Sequence, residues 1–432
     1  MTFISIRGRV LLNAEAMNMT ESVGNYVKHR RVPVVLPETH ATFFVPAISG
    51  ESIAHGFQSV LAETAKSQGL PVCALCSKGI FLKSTNSSVV RFAFSEKIGQ
   101  DISKWLGLEN LDEKEEEEIA HALEKAVIRD CVVEDVGGFL YAEQRFEGKE
   151  IGGVKRTSNF YTGYMIPVRE TLESTVIEPQ LHSRYALGTH FVREQRGQMI
   201  YYVELSSSSY TFSLDLDTRY IGKTTFVLGK EEEVDKRTER ISATLESLQG
   251  FLIEFMFGAK KTRFLPIVDW ESLVIAISDR PWTVPSPLSA SYVLNALTKL
   301  EKLGNGTKLF IYINPIMFEE TTAYIKRKTE ELLNTFYQAL EEFKEALKKR
   351  GDDKLIDWEN FKKRRLEKFL EERVEEVTKA SDLKYIPVVR EKYAKAKQKI
   401  EKMKEEKKKE VPLFENFENC VKEAIGEAKP KA

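Results

Sequence analysis

The chain of 432 residues has little of several features that would place it in a familiar class. Its four cysteines, Cys73, Cys76, Cys131 and Cys420, are too few for a disulfide scaffold in a chain of this length. No apolar run approaches the roughly 18 residues that cross a bilayer. The formal net charge is -1, so the whole molecule carries no bias towards a polyanion. Any such ligand must be bound by a local basic patch.

Common catalytic and cofactor motifs are also missing. The sequence has no phosphate-binding P-loop and no GxGxxG, HExxH or GxSxG. Cys73 and Cys76 form a single CxxC pair, and no second close pair of Cys or His follows, so we expect neither a metal nor a cofactor. The first residues lack a basic stretch followed by an apolar core. We therefore expect a cytoplasmic protein without a membrane partner.

Composition changes sharply near residue 315. From residue 316 onward, 55 of 117 residues are charged, against 74 of the first 315. This change predicts a domain boundary, with a body at 1–315 and a charged helical extension at 316–432. Apolar residues at spacings of three and four predict three helices there, packed as a small bundle. The faces of these helices are Leu333, Phe336, Leu340, Phe343 and Leu347; Leu366, Leu370, Val374 and Val377; and Tyr393, Ala396, Ile400 and Met403.

The body has the pattern of a mixed α+β fold. The predicted elements are a strand at 3–12, a helix from Ser49 to about Ser67, paired strands at 200–206 and 210–216, a helix at 231–249 and a strand at 265–278. This order predicts a split βαβ, ferredoxin-like sheet with an insertion at about 70–190. Within the insertion, Gly137-Gly138 and Gly152-Gly153 flank a polar turn and predict a protruding β-hairpin.

The segment from Asn13 to Val35 is suited to gripping a polyanion. Asn18, Ser22 and Asn25 can bond sugars and phosphate oxygens, while its basic cluster supplies positive charge. The cluster consists of Lys28, His29, Arg30 and Arg31. A capped helix followed by a solvated loop is an equally good interpretation of this segment alone.

Two further basic clusters lie beside glycines. One contains Lys260, Lys261 and Arg263 just before the strand at 265–278, and the other contains Lys155 and Arg156 in the predicted hairpin. Each alone could be a solvated turn. Together with the first cluster, they favour a groove that tracks a nucleic-acid strand by charge neutralisation and sugar contacts.

Two histidines are candidates for contact or catalysis. His29 lies between Lys28 and Arg30, and these cations should lower the pKa of its imidazole, which argues against a charged general acid at neutral pH. His55 follows Ser52 by three residues on the predicted helix and could face a bound strand. We expect both to be contacts or structural residues, and no residue to be catalytic.

Several spaced motifs of the body resemble one known family. They are Asn13-x-Glu15-x-x-Asn18 with Glu21-Ser22-x-Gly24-Asn25 and Lys28-His29-Arg30; Ile48-Ser-Gly-Glu51-Ser-x-Ala54-His55; Asp135-Val-Gly-Gly-Phe139 with Arg156-Thr-Ser158 and Gly163-Tyr-Met-Ile-Pro167; and Arg263-Phe-Leu-Pro266. Over residues 1–315 the chain resembles the CRISPR-associated DevR/Csa family of RAMP-superfamily proteins, which form the repeated backbone of archaeal type I-A Cascade.

The resemblance implies an RRM-like palm with an inserted β-hairpin thumb. It also implies binding to CRISPR RNA, to copies of the same chain in a helical filament, to other Cascade subunits, and to a target DNA strand through guide pairing. By motif, Asn18, Ser22, Asn25, Lys28, His29 and Arg30 would contact guide RNA, Ser49, Glu51 and His55 would line the adjoining palm, and Gly137, Gly138, Arg156 and Ser158 would belong to the thumb.

Two other functions stay open at this point. One is a metal-independent RAMP-type endoribonuclease that processes CRISPR RNA with His29 or His55 as the acid or base. The other is a transcriptional autoregulator, which the DevR name suggests, although no helix-turn-helix stands out. The extension at 316–432 departs from the family, and we expect it to contact another subunit or to restrict filament growth.

Overall fold

The computed structural model describes most of the chain. The described residues are 2–430 apart from 37–38, 100, 110, 186–197, 226–230, 319–333, 335, 347, 350–356, 359, 367, 369–380 and 407–408. Within them, no helix is long and apolar enough to cross a membrane.

The described chain is a mixed α+β fold. Its strands are β1 (Phe3–Glu15), β2 (Met19–Val23), β3 (Tyr26–His29), β4 (Arg31–Val35), β5 (Thr42–Pro46), β6 (Phe139–Tyr141), β7 (Arg145–Phe146), β8 (Lys149–Glu150), β9 (Val154–Arg156), β10 (Phe160–Thr162), β11 (Val176–Tyr185), β12 (Gln198–Asp217), β13 (Ile267–Ser278), β14 (Thr307–Ile313) and β15 (Leu413–Phe414). The named helices are α1 (Gly50–Ser67), α2 (Ser87–Ala93), α3 (Ser95–Ile98), α4 (Ile102–Leu106), α5 (Glu116–Asp130), α6 (Val132–Gly137), α7 (Arg237–Glu254), α8 (Tyr292–Leu303), α9 (Ser381–Glu405) and α10 (Phe417–Ala428).

One mixed sheet forms the centre of the molecule. Its strand order is β15-β14-β13-β1-β12-β3-β2, and β10 and β11 also pair with β12. Strand β1 is antiparallel to both β12 and β13, while β15 is parallel to β14 and β3 is parallel to β12. Strand β1 is buried on both faces along most of its length, as expected for the central strand of a covered sheet.

The two faces of the sheet pack into two separate apolar cores. In β13, Leu273, Ile275 and Ile277 enter the first core, whereas Val274 and Ala276 enter the second, because successive side chains of a strand point to opposite faces. Helices α1, α7 and α10 supply residues to the first core, and α8 and α9 supply residues to the second. The sheet is therefore covered by helices on both sides.

Helix α1 confirms the predicted helix from Ser49. The Ser49 hydroxyl accepts a hydrogen bond of 3.3 Å from the Ser52 backbone N–H and so caps the helix. Ile53, Phe57 and Leu61 form its buried face. Gly56 lets α1 approach the Phe257 loop, since a Cβ at this position would lie 2.4 Å from the Phe257 Cβ. The capped end of α1 is thereby fixed against the residues that follow α7.

Three predictions of elements in the body are corrected by the structure. The predicted strands at 200–206 and 210–216 are one continuous strand, β12, in which the serines at 206–209 continue the ladder. Helix α7 begins at Arg237 and not at Glu231, because Glu232 and Glu233 pair with Thr224 and Lys223: the Thr224 N–H donates to the Glu232 carbonyl, and Lys223 forms an antiparallel bridge with Glu233. Asn13–Val35 forms no helix; it holds the end of β1, the antiparallel pair β2–β3, and β4.

The predicted hairpin at 136–158 exists but does not protrude. Strand β6 pairs with β9, and β7 pairs with β8 at the tip. Phe139, Tyr141, Phe146 and Val154 are buried in the first core, so this hairpin packs against the insertion helices. The longer pair formed by β11 and β12 is more exposed: Val176, Leu181 and Ile200 expose about half or more of their surface there.

The end of the chain is integrated into the sheet and its cores. Strand β15 pairs with β14, and Phe417 of α10 stacks on Trp270 with ring centroids 4.9 Å apart. The predicted apolar face of α9 is confirmed, since Tyr393, Ala396, Ile400 and Met403 are buried in the second core. The change in composition at 315 therefore does not separate residues 389–428 from the body. Apolar side chains of this charged segment belong to both cores of the body.

Only fragments of the other two predicted tail helices fall within the described part of the chain. Residues 336–346 are helical, as are 360–366, and the Phe343 ring contacts the rings of Trp358 and Phe361. The predicted positions Leu333, Leu347, Leu370, Val374 and Val377 lie outside the described residues.

A buried arginine joins four distant parts of the chain. The Arg9 guanidinium on β1 lies 2.9 Å from Glu170 at the end of the insertion and 2.9 Å from Glu271 on β13. Helix α9 completes the cluster, since the Tyr393 hydroxyl donates to Glu271 at 2.5 Å and Lys392 pairs with Glu170 at 3.3 Å. Burial lowers the pKa of Arg9, but its two carboxylate partners and Tyr393 outweigh this and raise it, so the guanidinium is charged.

A chain that ends at Glu410 should not fold, because it lacks β15 and α10. The lost side chains include Cys420, Val421 and Ile425, all fully buried in the first core. Each large buried apolar group contributes about 2–5 kcal/mol, so their joint loss is comparable to the about 5–15 kcal/mol that stabilise a typical domain. Thermal unfolding followed by circular dichroism tests this. A chain ending at Lys429 is the control, and an unchanged, cooperative transition in the shorter chain would contradict the expectation.

Candidate nucleic-acid interface

The first two sequence motifs meet in a groove at the capped end of α1. The groove has a volume of about 360 Å³. It is lined by Met17, Asn18, Arg30, Ser49, Glu51, Ser52, His55, Gly258 and Ala259. These residues come from the turn after β1, the junction of β3 and β4, the first turns of α1 and the loop after α7. Segments that are distant in sequence therefore form one surface.

Asn18 connects the two motifs directly. Its side-chain oxygen accepts hydrogen bonds from Arg30 Nε at 2.6 Å and from the Ser49 backbone N–H at 3.1 Å. The Arg30 backbone N–H donates to the Asn18 carbonyl at 2.9 Å. The Asn18 side chain therefore fixes the Arg30 guanidinium next to the N-terminus of α1.

Two sources of positive charge, the N-terminus of α1 and the Arg30 guanidinium, lie side by side in the groove. Helix α1 has 18 residues, and the groove lies at its N-terminus, which is the positive end of its dipole. Arg30, half-buried at the base, adds a permanent charge. An oxyanion placed here would meet both, which is the usual arrangement of anion sites at helix N-termini. Glu51, exposed at the rim, offers an acceptor that suits a sugar hydroxyl.

A second depression continues the groove along the side of α1. It has a volume of about 400 Å³ and shares Ser49 and Glu51 with the first. Its other lining residues are Gly50, Ala54, Lys83, Ser158, Phe160, Thr162, Gly163 and Tyr164. The two depressions adjoin at Ser49 and Glu51, and we call them together the α1 groove. Two predicted members of the site, Ser158 and Glu51, thus lie in the α1 groove with Asn18 and Arg30.

Lys83 and Tyr164 complete the side wall of the α1 groove. The Lys83 ammonium donates to the Gly137 carbonyl at 2.7 Å, which positions this exposed side chain at the C-terminal end of α6. The exposed Tyr164 hydroxyl lies 3.5 Å from Arg30 Nη1. Lys83 was not predicted as a site residue, because a single lysine between apolar and polar neighbours gives no local signal. Only the tertiary fold brings it to the groove.

The chain matches a known family over most of its body. The family model described as CRISPR-associated negative auto-regulator DevR/Csa2 matches residues 6–297. The chain belongs to this family. Every residue that lines the α1 groove falls within the match.

Curated relatives of this DevR/Csa2 chain come from archaea. One, named CRISPR-associated protein Cas7/Csa2 1 of Saccharolobus solfataricus, is 37% identical over 287 residues, which is 66% of this chain and 81% of the relative. Another from the same organism, named CRISPR-associated aCascade subunit Cas7/Csa2 2, is 33% identical over 319 residues, which is 71% of this chain and 90% of the relative.

Solved structures give a weaker likeness. A chain of a CRISPR RNA-guided surveillance complex, pre-nicking, aligns with a TM-score of 0.40 and 10% identity over 72% of this chain and 92% of its own length. A second surveillance complex gives a TM-score of 0.34 and 11% identity over 72% and 88% of the two chains. These scores lie below the level at which a common fold follows.

His29 does not line the α1 groove of this DevR/Csa2 chain. Its side chain is fully buried behind Arg30, with Nε2 2.6 Å from Glu15 Oε1 and Nδ1 2.9 Å from the Arg30 carbonyl oxygen. Both ring nitrogens face acceptors, so the doubly protonated ring is favoured. Burial lowers the pKa of His29, but the hydrogen bond to Glu15 and its charge outweigh burial and raise it. The predicted lowering of this pKa and the predicted RNA contact are both wrong.

Arg156 is a structural residue of the buried interior. Its guanidinium lies 2.8 Å from Glu124 of α5 and 2.5 Å from Asp135 of α6, and its side chain is 1% exposed. Asp135 also pairs with Arg240 of α7 at 3.4 Å. The predicted contact of Arg156 with RNA is wrong, because the insertion and α7 bury it between carboxylates.

Gly137 and Gly138 are explained by packing. A Cβ at Gly137 would lie 2.1 Å from the Gln58 side chain of α1, so this glycine lets α6 approach α1. Gly138 has φ +69° and a Cβ there would lie 2.5 Å from the Arg156 carbonyl oxygen. Both residues are buried and neither lines the groove. They allow the close packing of the end of α6, whose Gly137 carbonyl accepts the hydrogen bond from Lys83.

The remaining predicted residues do not line the α1 groove. Asn25 pins the β2–β3 turn to β12, donating from its amide to the Ile200 carbonyl at 3.0 Å. Ser22 and Lys28 lie on the same hairpin. Lys260 and Lys261 follow the groove residues Gly258 and Ala259, whereas Arg263 donates to the Tyr201 hydroxyl at 2.6 Å and so faces the β11–β12 pair.

The pair of His29 and Glu15 should make stability depend on pH. Since the folded pKa of His29 is raised above its ordinary value of about 6.5, the stabilisation is complete below pH about 6.5 and is lost as pH rises through the folded pKa. His29→Gln should remove this slope and cost about 3–5 kcal/mol at low pH, because Glu15 stays buried without its partner.

Urea unfolding between pH 5 and about 9 tests the pH dependence. His40→Gln is the matched control, since His40 is exposed on a surface turn. A difference between wild type and His29→Gln that stays constant, or grows with rising pH, would contradict a charged His29 in the folded state.

Proposed function

We propose that this DevR/Csa2 chain is a non-catalytic backbone subunit of a type I-A Cascade that binds CRISPR RNA in the α1 groove. The observation that carries the proposal is the convergence of Asn18, Arg30 and the N-terminus of α1 on one anion-binding point. The name of one Saccharolobus relative, an aCascade subunit, supports a place in Cascade. The chain would act in the cytoplasm.

The topology of the central sheet supports an RRM-like palm. Strands β13, β1 and β12 are neighbours in this order, and β10 and β11 extend the sheet beyond β12. All of these pairings are antiparallel, with α1 lying between β1 and β10 in sequence and α7 between β12 and β13. This is the split βαβ order that underlies the ferredoxin-like fold.

The α1 groove suits the backbone of a single strand. Arg30, Lys83 and the first N–H groups of α1 would contact phosphates, while Ser52 and Glu51 would bond ribose hydroxyls. Exposed Tyr164 and His55 offer flat rings for stacking. None of these contacts depends on a particular base, which leaves the base edges free for pairing between the guide and a target DNA strand.

The β11–β12 pair is the better candidate for the thumb. It extends from strand β12 of the central sheet and exposes Val176, Leu181 and Ile200, whereas the hairpin at 139–156 is packed into the first core. Exposed apolar side chains on an arm suit contact with a protein partner. We propose that this arm reaches a neighbouring copy of the chain in a helical filament, and that other Cascade subunits cap the filament.

Removal of two groove cations should weaken RNA binding without changing its sequence preference. Arg30→Ala with Lys83→Ala removes two charge-assisted contacts of about 1.5–3 kcal/mol each, so the affinity for a single-stranded RNA should fall more than tenfold. The slope of log affinity against log salt should fall in magnitude by about 1.4, since each of the two lost phosphate contacts of a single strand contributes about 0.7. Filter binding at several salt concentrations measures both.

Lys402→Ala with Lys404→Ala is the matched control for charge. Both lysines are exposed on α9, outside the α1 groove. An equal loss of affinity in this control would indicate a non-specific charge effect. If the Arg30 and Lys83 variant kept the affinity and the salt slope of the wild type, the α1 groove would not be the RNA-binding site.

A nuclease assay separates the scaffold from an endoribonuclease. His55 is the histidine that lines the α1 groove among the described residues, and its Nε2 lies 3.2 Å from the Gly79 carbonyl oxygen. We expect no metal-independent cleavage of labelled repeat RNA, and identical product patterns for wild type and His55→Ala. Cleavage that His55→Ala abolishes would establish the enzyme instead. Tight, specific binding of duplex DNA in a parallel assay would favour an autoregulator.

A further inference from the structure

Three cysteines that are far apart in sequence meet behind the wall of the α1 groove. The sulfur atoms of Cys73, Cys76 and Cys131 all lie within 4.8 Å of one another, and all three residues are buried. Cys73 and Cys76 belong to the loop after α1, and Cys131 separates α5 from α6. The sequence shows only a CxxC pair, because the third cysteine follows 55 residues later.

A buried carboxylate adjoins the three thiols. Glu134 lies one helical turn after Cys131, and its Oε1 accepts hydrogen bonds from Cys76 Sγ at 2.8 Å and from the Leu82 backbone N–H at 2.9 Å. Glu134 is fully buried, and its Oε2 has no hydrogen-bond partner among the described residues. An acidic group with an unpaired buried oxygen is costly unless a cation compensates it. Lys83 is the cation near this carboxylate, but its ammonium donates to the Gly137 carbonyl and leaves Glu134 Oε2 without a hydrogen bond.

The geometry of the cluster fits a tetrahedral metal. Zinc binds thiolates at about 2.3 Å, which places the sulfurs of one site about 3.8 Å apart, within the span of these three side chains. The Cys76 backbone N–H donates to Cys73 Sγ at 3.4 Å, and such a donor stabilises a thiolate. The loop is anchored next to α6, since the Val132 N–H donates to the Pro71 carbonyl at 2.9 Å.

We propose that Cys73, Cys76, Cys131 and Glu134 form a structural zinc site. Three thiolates and one carboxylate give the four ligands of a closed site, and the burial of all four residues leaves no open position for a substrate. The site joins the loop 71–83 to the junction of α5 and α6. It goes beyond the proposed RNA-binding function and does not rest on it.

Zinc at this position would hold one wall of the α1 groove. The loop that begins at Cys73 continues to Gly79, whose carbonyl bonds His55, and to Lys83, which contacts the end of α6. Without the metal, the loop and α6 would be joined by fewer bonds. By fixing this loop, the metal would hold the Lys83 side chain in position to contact a ligand in the groove.

The metal content of the full chain tests the proposal directly. Protein purified under reducing conditions should contain one zinc ion per chain by inductively coupled plasma mass spectrometry. Cys131→Ser and Cys76→Ser should each lose it, whereas Cys420→Ser, which removes a buried cysteine of the first core, should retain it. Glu134→Gln should weaken zinc affinity at least about tenfold in competition with a chelator.

A second measurement does not depend on the folding of the variants. Wild-type protein stripped by a chelator and titrated with Co²⁺ should develop the thiolate-to-metal absorption of a tetrahedral thiolate site, saturating at one equivalent, and Zn²⁺ should displace it. Failure of reduced wild type to bind either ion, or retention of zinc by Cys131→Ser, would overturn the site. Alkylation of the denatured, chelator-treated protein should find four free thiols. Only two would indicate a disulfide instead and would likewise overturn it.

Discussion

The buried Arg9 cluster is the interaction on which the arrangement of this fold depends. A guanidinium in the middle of the central strand cannot stay buried unless carboxylates surround it, because an unpaired charge there costs several kcal/mol. Glu170 and Glu271 supply them from the end of the insertion and from β13, and α9 adds Lys392 and Tyr393. One charge on β1 thus requires three other segments to be in place. The composition of the tail hides this role, because its charges look like those of a solvated helix.

The sequence predicted those helices and strands that are specified by neighbouring residues, through capping or through the spacing of apolar side chains. The cap at Ser49, the apolar face of α1 and the strand at 267–278 could be placed from spacing and capping chemistry, as could the buried face of α9. The paired strands at 200–216 could not, because four serines resemble a turn in sequence. In the fold their hydroxyls are bonded, for example Ser208 to Thr171 at 2.9 Å, and the strand continues.

The sequence motifs correctly placed together those residues of the candidate site that lie beside the capped start of α1. Asn18, Arg30, Ser49, Glu51 and His55 share the α1 groove as the motifs suggested. His29 and Arg156 were misassigned for one physical reason: a basic side chain next to other basic residues looks solvated in sequence. Each is buried against carboxylates that lie elsewhere in the chain, Glu15 for His29 and Asp135 for Arg156. Such pairings, like the position of Lys83, depend on tertiary contacts that spacing does not encode.

The position of α10 has a consequence for how the molecule folds. Cys420, Val421 and Ile425 of α10 belong to the same core as Ile4 and Ile6 of β1, although the two elements lie far apart in the sequence. Contacts between residues so distant in sequence form slowly during folding. The first core, into which α1 also packs, therefore closes late. Until α10 docks, the central sheet exposes apolar surface, and such surface makes a partly folded chain prone to aggregation.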